Sequence, residues 1–269
     1  MEFVDNDQIR SILFEISKKI ILPNFRNLNS NQINYKNNND IVTSVDIEVE
    51  NYLKKILPQF LKNSHFIGEE IYTHNPEILD YYNQKEYCWT VDPIDGTLNF
   101  VKGKELFAVM VALTFSNQII QSWIYKPITE EFMYAKLNQG SYLNNKNITI
   151  NNFNSISNSV VSISSKYWDK DIENKIKLLK NNFKDINSYG SIGCEYFDIV
   201  LGKRDFVILS KLSPWDHLSG VLLVREAGGN DSHFNNLSYK FNKKSNNLIV
   251  SSSRKLNIEI INKIKELES

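Results

Sequence analysis

The run Tyr87-Cys88-Trp89-Thr90-Val91 passes directly into Asp92-Pro93-Ile94-Asp95-Gly96-Thr97, and this junction constrains the fold more than any other segment. The first five residues are apolar or β-forming and read as a strand. Pro93 fixes the backbone between two carboxylates three residues apart, so both acids stand where a strand ends. Gly96 permits close approach of another backbone, and a helix starting at Thr97 would leave amides there to face an anion. Carboxylates and an amide nest suit one negative ligand only when a cation lies between them. Hard oxygen ligands favour magnesium over zinc or copper. Asp-Pro and Asp-Gly are also ordinary turn dipeptides, so this segment alone leaves a plain loop open.

Three other acidic segments have the same double reading. Gly68-Glu69-Glu70 follows the predicted strand His65-Phe66-Ile67, again placing acids at a strand end, although a Glu-Glu pair is commonly just solvated. Asp46 follows Asp40-Ile41-Val42-Thr43-Ser44-Val45 and suits the N-cap of a helix. Asp216 in Trp215-Asp216 suits the first turn of a helix running to Ala227, where an acid favours the dipole.

The rest of the chain reads as layers. Ile9, Ile12, Leu13, Ile16 and Ile20 have helical spacing from about Asp7 to Phe25, and Ile47, Val49, Tyr52, Leu53, Ile56 and Leu57 repeat it from Asp46 to Leu61. Strands are predicted at 107–115, 119–125 and 131–135. From Val160 the pattern becomes strand and helix in turn: strands at 160–164, 205–209 and 247–251, helices at 170–183, 194–201, 215–227 and 256–267. A mixed first half and an alternating second half predict an α/β chain of layered sheets and helices. The boundary between two lobes is placed near residue 150, giving 1–150 and 151–269.

Composition removes several function classes. The 31 basic and 31 acidic residues balance, which argues against direct nucleic-acid binding. No run approaches the roughly 18 apolar residues of a membrane span. The start, Met1-Glu2-Phe3-Val4-Asp5, lacks the basic-then-apolar order of a signal peptide, and the two cysteines, Cys88 and Cys194, have no CxxC spacing. A cytoplasmic protein without structural disulfides or zinc is expected. The Asn-rich stretch 24–40 reads as surface drift without chemistry.

Taken in order, Asp46, Gly68-Glu69-Glu70, Asp92-Pro93-Ile94-Asp95-Gly96-Thr97, Trp215-Asp216 and Glu226-Ala227-Gly228-Gly229 resemble the inositol monophosphatase family of lithium-sensitive, magnesium-dependent phosphatases. The resemblance spans about 40–229 and implies a five-layer αβαβα sandwich whose two lobes form one catalytic unit, with most metal ligands in the first. It also implies two or three Mg²⁺ ions, held by Glu69, Asp92, Asp95, Asp216 and the Ile94 carbonyl. Thr97 and Asp46 match the pair that orients and deprotonates the attacking water, with Glu69 counted among the catalytic groups. Lys36 matches a lysine near the metal site. Gly96, Thr97, Gly190, Ser191 and Ile192 match positions lining the substrate and phosphate pocket.

The family's sugar-binding glutamate falls at Leu209, seven residues before Asp216, and leucine cannot accept a hydroxyl hydrogen bond. The resemblance thus implies a small phosphorylated metabolite as substrate: an inositol phosphate, histidinol phosphate, a fructose bisphosphate or a 3′-phosphoadenosine nucleotide. It further implies a homodimer, and some members act instead as binding partners of the transcription machinery. No cysteine nucleophile is required, and His217 is expected to be structural.

Overall fold

The central strands are buried on both faces, and the alternation of their side chains between two sets of helices sorts the chain into five layers. The computed structural model describes residues 1–36, 40–151, 155–183, 185–242 and 245–267. The chain opens with α1 (Asn6–Ile16), capped by the Asp5 carboxylate on the Asp7 amide, and runs through a π-helical stretch, Ser17–Ile21, into α2 (Leu22–Asn24). The expected first helix is therefore one continuous helical run with a widened turn in its middle. A hairpin of β1 (Ile33–Lys36) and β2 (Asp40–Thr43) leads into α3 (Ser44–Ile56).

Next come β3 (His65–Gly68), α4 (Glu69–His74), β4 (Tyr87–Asp95) and α5 (Thr97–Val101). A meander follows: β5 (Ala108–Phe115), β6 (Gln118–Lys126), β7 (Glu131–Lys136), β8 (Gly140–Leu143) and β9 (Lys146–Ile148). Strands β3 to β9 lie in sequence order in one seven-stranded sheet, with β3 parallel to β4 and the other neighbours antiparallel. Short turns explain this order, because antiparallel neighbours need only a few connecting residues.

The remaining elements are β10 (Val160–Ile163), α6 (Lys170–Leu179), β11 (Asp185–Ile186), α7 (Ile192–Val200), β12 (Phe206–Leu209), α8 (Pro214–Glu226), β13 (Asn230–Ser232), β14 (Leu248–Ser251) and α9 (Arg254–Glu266). Their five strands form a second sheet in the order β11-β10-β12-β14-β13. The chain passes from the first sheet to the second between Ile148 and Val160.

Trp89, Val91, Val109, Val111 and Leu113 face α1 and α3, whereas Cys88, Ala108, Met110 and Ala112 face α7 and α8 from the opposite side of the same strands. Val207 and Val250 of the second sheet meet α7 and α8 from above, while Phe206, Ile208 and Ile249 pack on α6 and α9. The order of layers is helix, sheet, helix, sheet, helix, the expected sandwich. Helix α8 is buried almost all round because it lies between two sheets, which a one-sided apolar stripe would not satisfy. Gly220 lets it approach α7: a Cβ there would lie 1.9 Å from the Tyr196 ring. Among the described residues, no helix is long and apolar enough to cross a membrane.

Candidate active site

The acids stand at strand ends and helix starts: Asp92 and Asp95 at the end of β4, Glu69 opening α4, Asp46 in the first turn of α3 and Asp216 in that of α8. Asp46 lies at the start of α3, but the N-cap is Thr43 rather than Asp46. Asp46 occupies the third helical position of a capping box: its Oδ2 accepts the Thr43 amide at 2.8 Å and the Thr43 hydroxyl at 2.5 Å. Its Oδ1 is left to accept the Thr97 hydroxyl at 3.1 Å. That hydroxyl also lies 3.0 Å from the Ile94 carbonyl. Burial, assisted by the charge of Glu69, lifts the Asp46 carboxyl to about 6 against the pull of the Thr43 hydrogen bonds.

Strand β4 does not stop at Val91 as expected. It continues to Asp95, with its register against β5 broken between Asp92 and Asp95. Pro93 has no amide to give to the ladder, so an irregularity here is the local consequence of sequence. Gly96 follows in the left-handed region at φ 92°, and a Cβ there would come within 3.0 Å of the Leu106 carbonyl and of Ser191.

Asp95 is gripped by the turn that starts α7. Its Oδ2 accepts the Ser191 hydroxyl at 2.5 Å and the Gly193 amide at 2.7 Å, and its Oδ1 accepts the Ile192 amide at 3.0 Å. Ser191 and Ile192, expected to line the substrate pocket, thus serve first as holders of Asp95. Gly190 stands at φ 68°, and its carbonyl and that of Tyr189 receive the side-chain amide of Asn99.

Asp92 is 2% exposed and its Oδ1 has no hydrogen-bond partner. Burial, then the charges of Glu69, Asp95, Asp216 and Asp46, push its carboxyl well above the carboxylate range. Burial and the Glu69 charge raise Asp216 to about 8, with Lys211 opposing. Burial raises Asp95 to about 6 against its three hydrogen bonds. Asp92 feels the charges of Glu69, Asp95, Asp216 and Asp46, and Asp216 those of Glu69 and Asp95, which places these acids near one another in a poorly solvated space. Among the described residues, no three His, Cys, Asp or Glu side chains already close into an ion cage. The buried Asp92 oxygen without a hydrogen-bond partner, beside other acids, is of the kind that suits a hard cation.

Glu69 reaches the cluster through a residue the sequence pattern did not single out. Glu50, 2% exposed on α3, accepts the amides of Glu70 and Ile71 at 2.8 Å each, satisfying the start of α4. Gly68 leaves room for that carboxylate, since a Cβ would lie 2.3 Å from the Glu50 carboxyl carbon. The signal available in the sequence was an acid directly beside the apolar stripe of Val49 and Leu53.

The other expectations divide. His217 is buried and its ring nitrogens meet the Tyr196 hydroxyl at 3.1 Å and the Lys211 carbonyl at 2.7 Å; burial depresses it to about 4, a structural imidazole. Both cysteines are buried, with the Cys194 thiol raised to about 12 by burial, so neither is a nucleophile. The side chain of Lys36 lies outside the described residues. Leu209 is 7% exposed and packs in the apolar layer around α7 and α8. A cavity of about 950 Å³ opens beside Glu69 and Trp215, walled by Tyr72, Leu212, Pro214 and Phe241, and among the described residues Gly190, Ser191, Ile192 and Leu209 stand outside its wall.

Comparison with known proteins gives the family. The chain is 33% identical to an inositol monophosphatase of Dictyostelium discoideum over 238 residues, 85% of this chain and 86% of that protein. It is 30% identical to the Nus factor SuhB of Vibrio cholerae, with 77% of each chain covered. In structure it resembles the Thermotoga maritima IMPase with a TM-score of 0.81 at 23% identity, covering 97% of this chain and 96% of that one. The match to the inositol monophosphatase family extends over residues 5–269, and the chain belongs to that family of phosphomonoesterases.

Proposed function

We propose that the protein is a magnesium-dependent phosphomonoesterase that hydrolyses a small phosphate ester with water as nucleophile. The observation that carries this reading is the set of buried acids Asp92, Asp95 and Asp216, each carboxyl raised chiefly by burial, Asp92 and Asp216 also by the charge of neighbouring acids. Such a cluster is stable in its ionised form only beside a cation. Glu69, Asp92, Asp95, Asp216 and the Ile94 carbonyl would hold it. Magnesium, when bound, neutralises phosphate charge and makes water a better nucleophile near neutral pH.

Asp46 and Thr97 do the proton work. A carboxyl near 6 is mostly ionised at pH 7 yet still basic enough to draw a proton through the Thr97 hydroxyl. Thr43 leaves Asp46 only the oxygen that faces Thr97, which fixes the direction of that relay. Thr97→Val is therefore expected to lower kcat by about 10²-fold or more with little change in magnesium affinity. Turnover and calorimetric metal titration on the same sample check this; weakened magnesium binding with unchanged saturated turnover would contradict it.

The leaving group enters the cavity beside Glu69 and Trp215, whose volume of about 950 Å³ suits a metabolite. Tyr72, Leu212, Pro214 and Phe241 give the cavity an apolar side, and with no glutamate at 209 we infer an ester that depends less on hydroxyl contacts than inositol phosphate does. A magnesium-dependent phosphate-release assay over inositol 1-phosphate, histidinol phosphate, fructose 1,6-bisphosphate and a 3′-phosphoadenosine nucleotide tests both statements. Activity should vanish in excess chelator and fall with lithium, and inositol 1-phosphate should not be the best substrate. Undiminished hydrolysis after verified metal removal would reject the mechanism; highest kcat/KM on inositol 1-phosphate would reject the specificity.

A further inference from the structure

One buried charge takes no part in the chemistry above. Arg204 lies in the turn between α7 and β12, is 1% exposed, and none of its three guanidinium nitrogens has a hydrogen-bond partner. Its guanidinium carbon stands 4.5 Å from the centre of the Tyr189 ring. Arginine is rarely buried without compensation. The Tyr189 ring face meets this charge, and Glu195 on α7, itself 2% exposed, is a buried acid whose ionised form the Arg204 charge favours.

Glu195 is a hook. Its Oε1 accepts the Tyr189 amide at 2.7 Å and the Ser188 hydroxyl at 3.1 Å, while the Tyr189 hydroxyl donates to Asp198 at 2.8 Å. The Tyr189 carbonyl in turn accepts the side-chain amide of Asn99, two residues beyond Thr97. The next three residues, Ser191 to Gly193, make the three hydrogen bonds to Asp95. An ionised carboxylate has about four acceptor sites, so three are taken and the turn decides where the last one points. Gly193 is packed so closely that a Cβ would lie 2.9 Å from Asp95 Oδ2. A small rotation of the turn therefore moves the carboxylate.

We infer that Arg204 and Glu195 are positioning residues of the reaction site: Arg204 on the Tyr189 ring and Glu195 on the Tyr189 amide and Ser188 hydroxyl hold the 188–193 turn, and the turn aims the free lone pair of Asp95 at the cation. This rests on the reading of Asp95 as a metal ligand. Neither residue touches substrate or metal. Arg204 acts on Glu195 through charge and on Tyr189 through the ring face, and Glu195 acts on Asp95 through the backbone.

The test begins with the metal-free, full-length protein and Arg204→Met, which keeps most of the volume and removes the charge. Amide exchange at Tyr189, Ile192 and Gly193 should quicken about tenfold, with α3 and α9 exchanging as in wild type. Calorimetric titration with magnesium should show a Kd weakened about tenfold, the usual scale for groups that orient a ligand. Adding Glu195→Gln to Arg204→Met should recover most of both losses, because the amide oxygen still accepts the Tyr189 N–H and no buried charge is left uncompensated. A merely structural role would quicken exchange everywhere, leave the magnesium Kd of the folded protein unchanged and show no recovery. Should Arg204→Met not fold, Ser188→Ala, at an exposed position, removes one donor to the same Glu195 oxygen and should move both readouts about twofold in the same direction. Unchanged exchange and unchanged Kd in the folded variants would overturn the positioning role. A wild type that binds no magnesium, with the local exchange effect intact, would overturn the metal reading instead.

Discussion

Asp92→Asn is expected to lower turnover by about 10³-fold, roughly 4 kcal/mol of barrier, and at the same time to make the metal-free protein more stable. The two effects share one cause. Asp92 is buried, one of its oxygens has no hydrogen-bond partner, and the charges of Glu69, Asp95, Asp216 and Asp46 all oppose its ionisation. Without a cation the folded chain confines mutually repelling acids, an arrangement kept at the expense of stability. An amide removes one charge and supplies two donors to the neighbouring carboxylates. A gain of about 1–2 kcal/mol corresponds to a thermal midpoint raised by about 2–8 °C in a chain of this size. With magnesium present the order reverses, because the variant binds the ion more weakly and loses its linkage. Thermal unfolding in chelator and in magnesium, beside kcat at saturating metal, reads all of this. A variant that keeps a tenth of the activity, or melts lower than wild type in chelator, would contradict the assignment.

Metal-free protein should lose stability as pH rises from about 4 to about 8. Asp46 and Asp95 are raised to about 6, Asp216 to about 8, and Asp92 further up, in each case chiefly by burial. Each carboxyl binds its proton more tightly folded than unfolded, so the folded state holds more protons between pH 4 and 8. Their contribution is complete in acid and is lost as pH climbs through the folded values. A loss on the order of 3 kcal/mol, or about 6–12 °C in midpoint, is expected across that window. Protons and magnesium compete for the same oxygens, so magnesium affinity should rise over the same range and flatten the stability curve when the ion is present. Midpoints measured from pH 5 to 8.5, with and without magnesium, test both signs. A metal-free midpoint that climbs with pH would mean that the acids are solvated, contrary to their burial.

The strands at 107–115, 119–125 and 131–135 were legible because apolar runs between turn residues carry their own period. Helix α9 was legible for the same reason. The strands β8, β9, β11 and β13 were not, since each is a short edge or near-edge piece held mainly by its neighbour. Asp46 looked like an N-cap because an acid before an apolar stripe usually is one. The cap proved to be Thr43, and only the folded chain shows the hydroxyl and amide that turn the Asp46 carboxylate toward Thr97.

By itself the sequence determined the identity of the acids and their local setting: a proline that breaks a ladder, a glycine that needs positive φ, and carboxylates placed after strands or in first helical turns. These are short-range properties, set by covalent geometry and by partners within a few residues. The tertiary structure alone decided which acids meet. Asp46, Glu69, Asp92 and Asp216 are far apart in the chain and become neighbours only when α3, α4 and α8 dock on the first sheet around the end of β4. It also decided how Asp95 is held, by a turn about a hundred residues away, and that Arg204 and Glu195 stand behind that turn. A hydrogen bond across such a separation leaves no periodicity in either segment, because its geometry depends on how layers pack and not on what lies next in the chain.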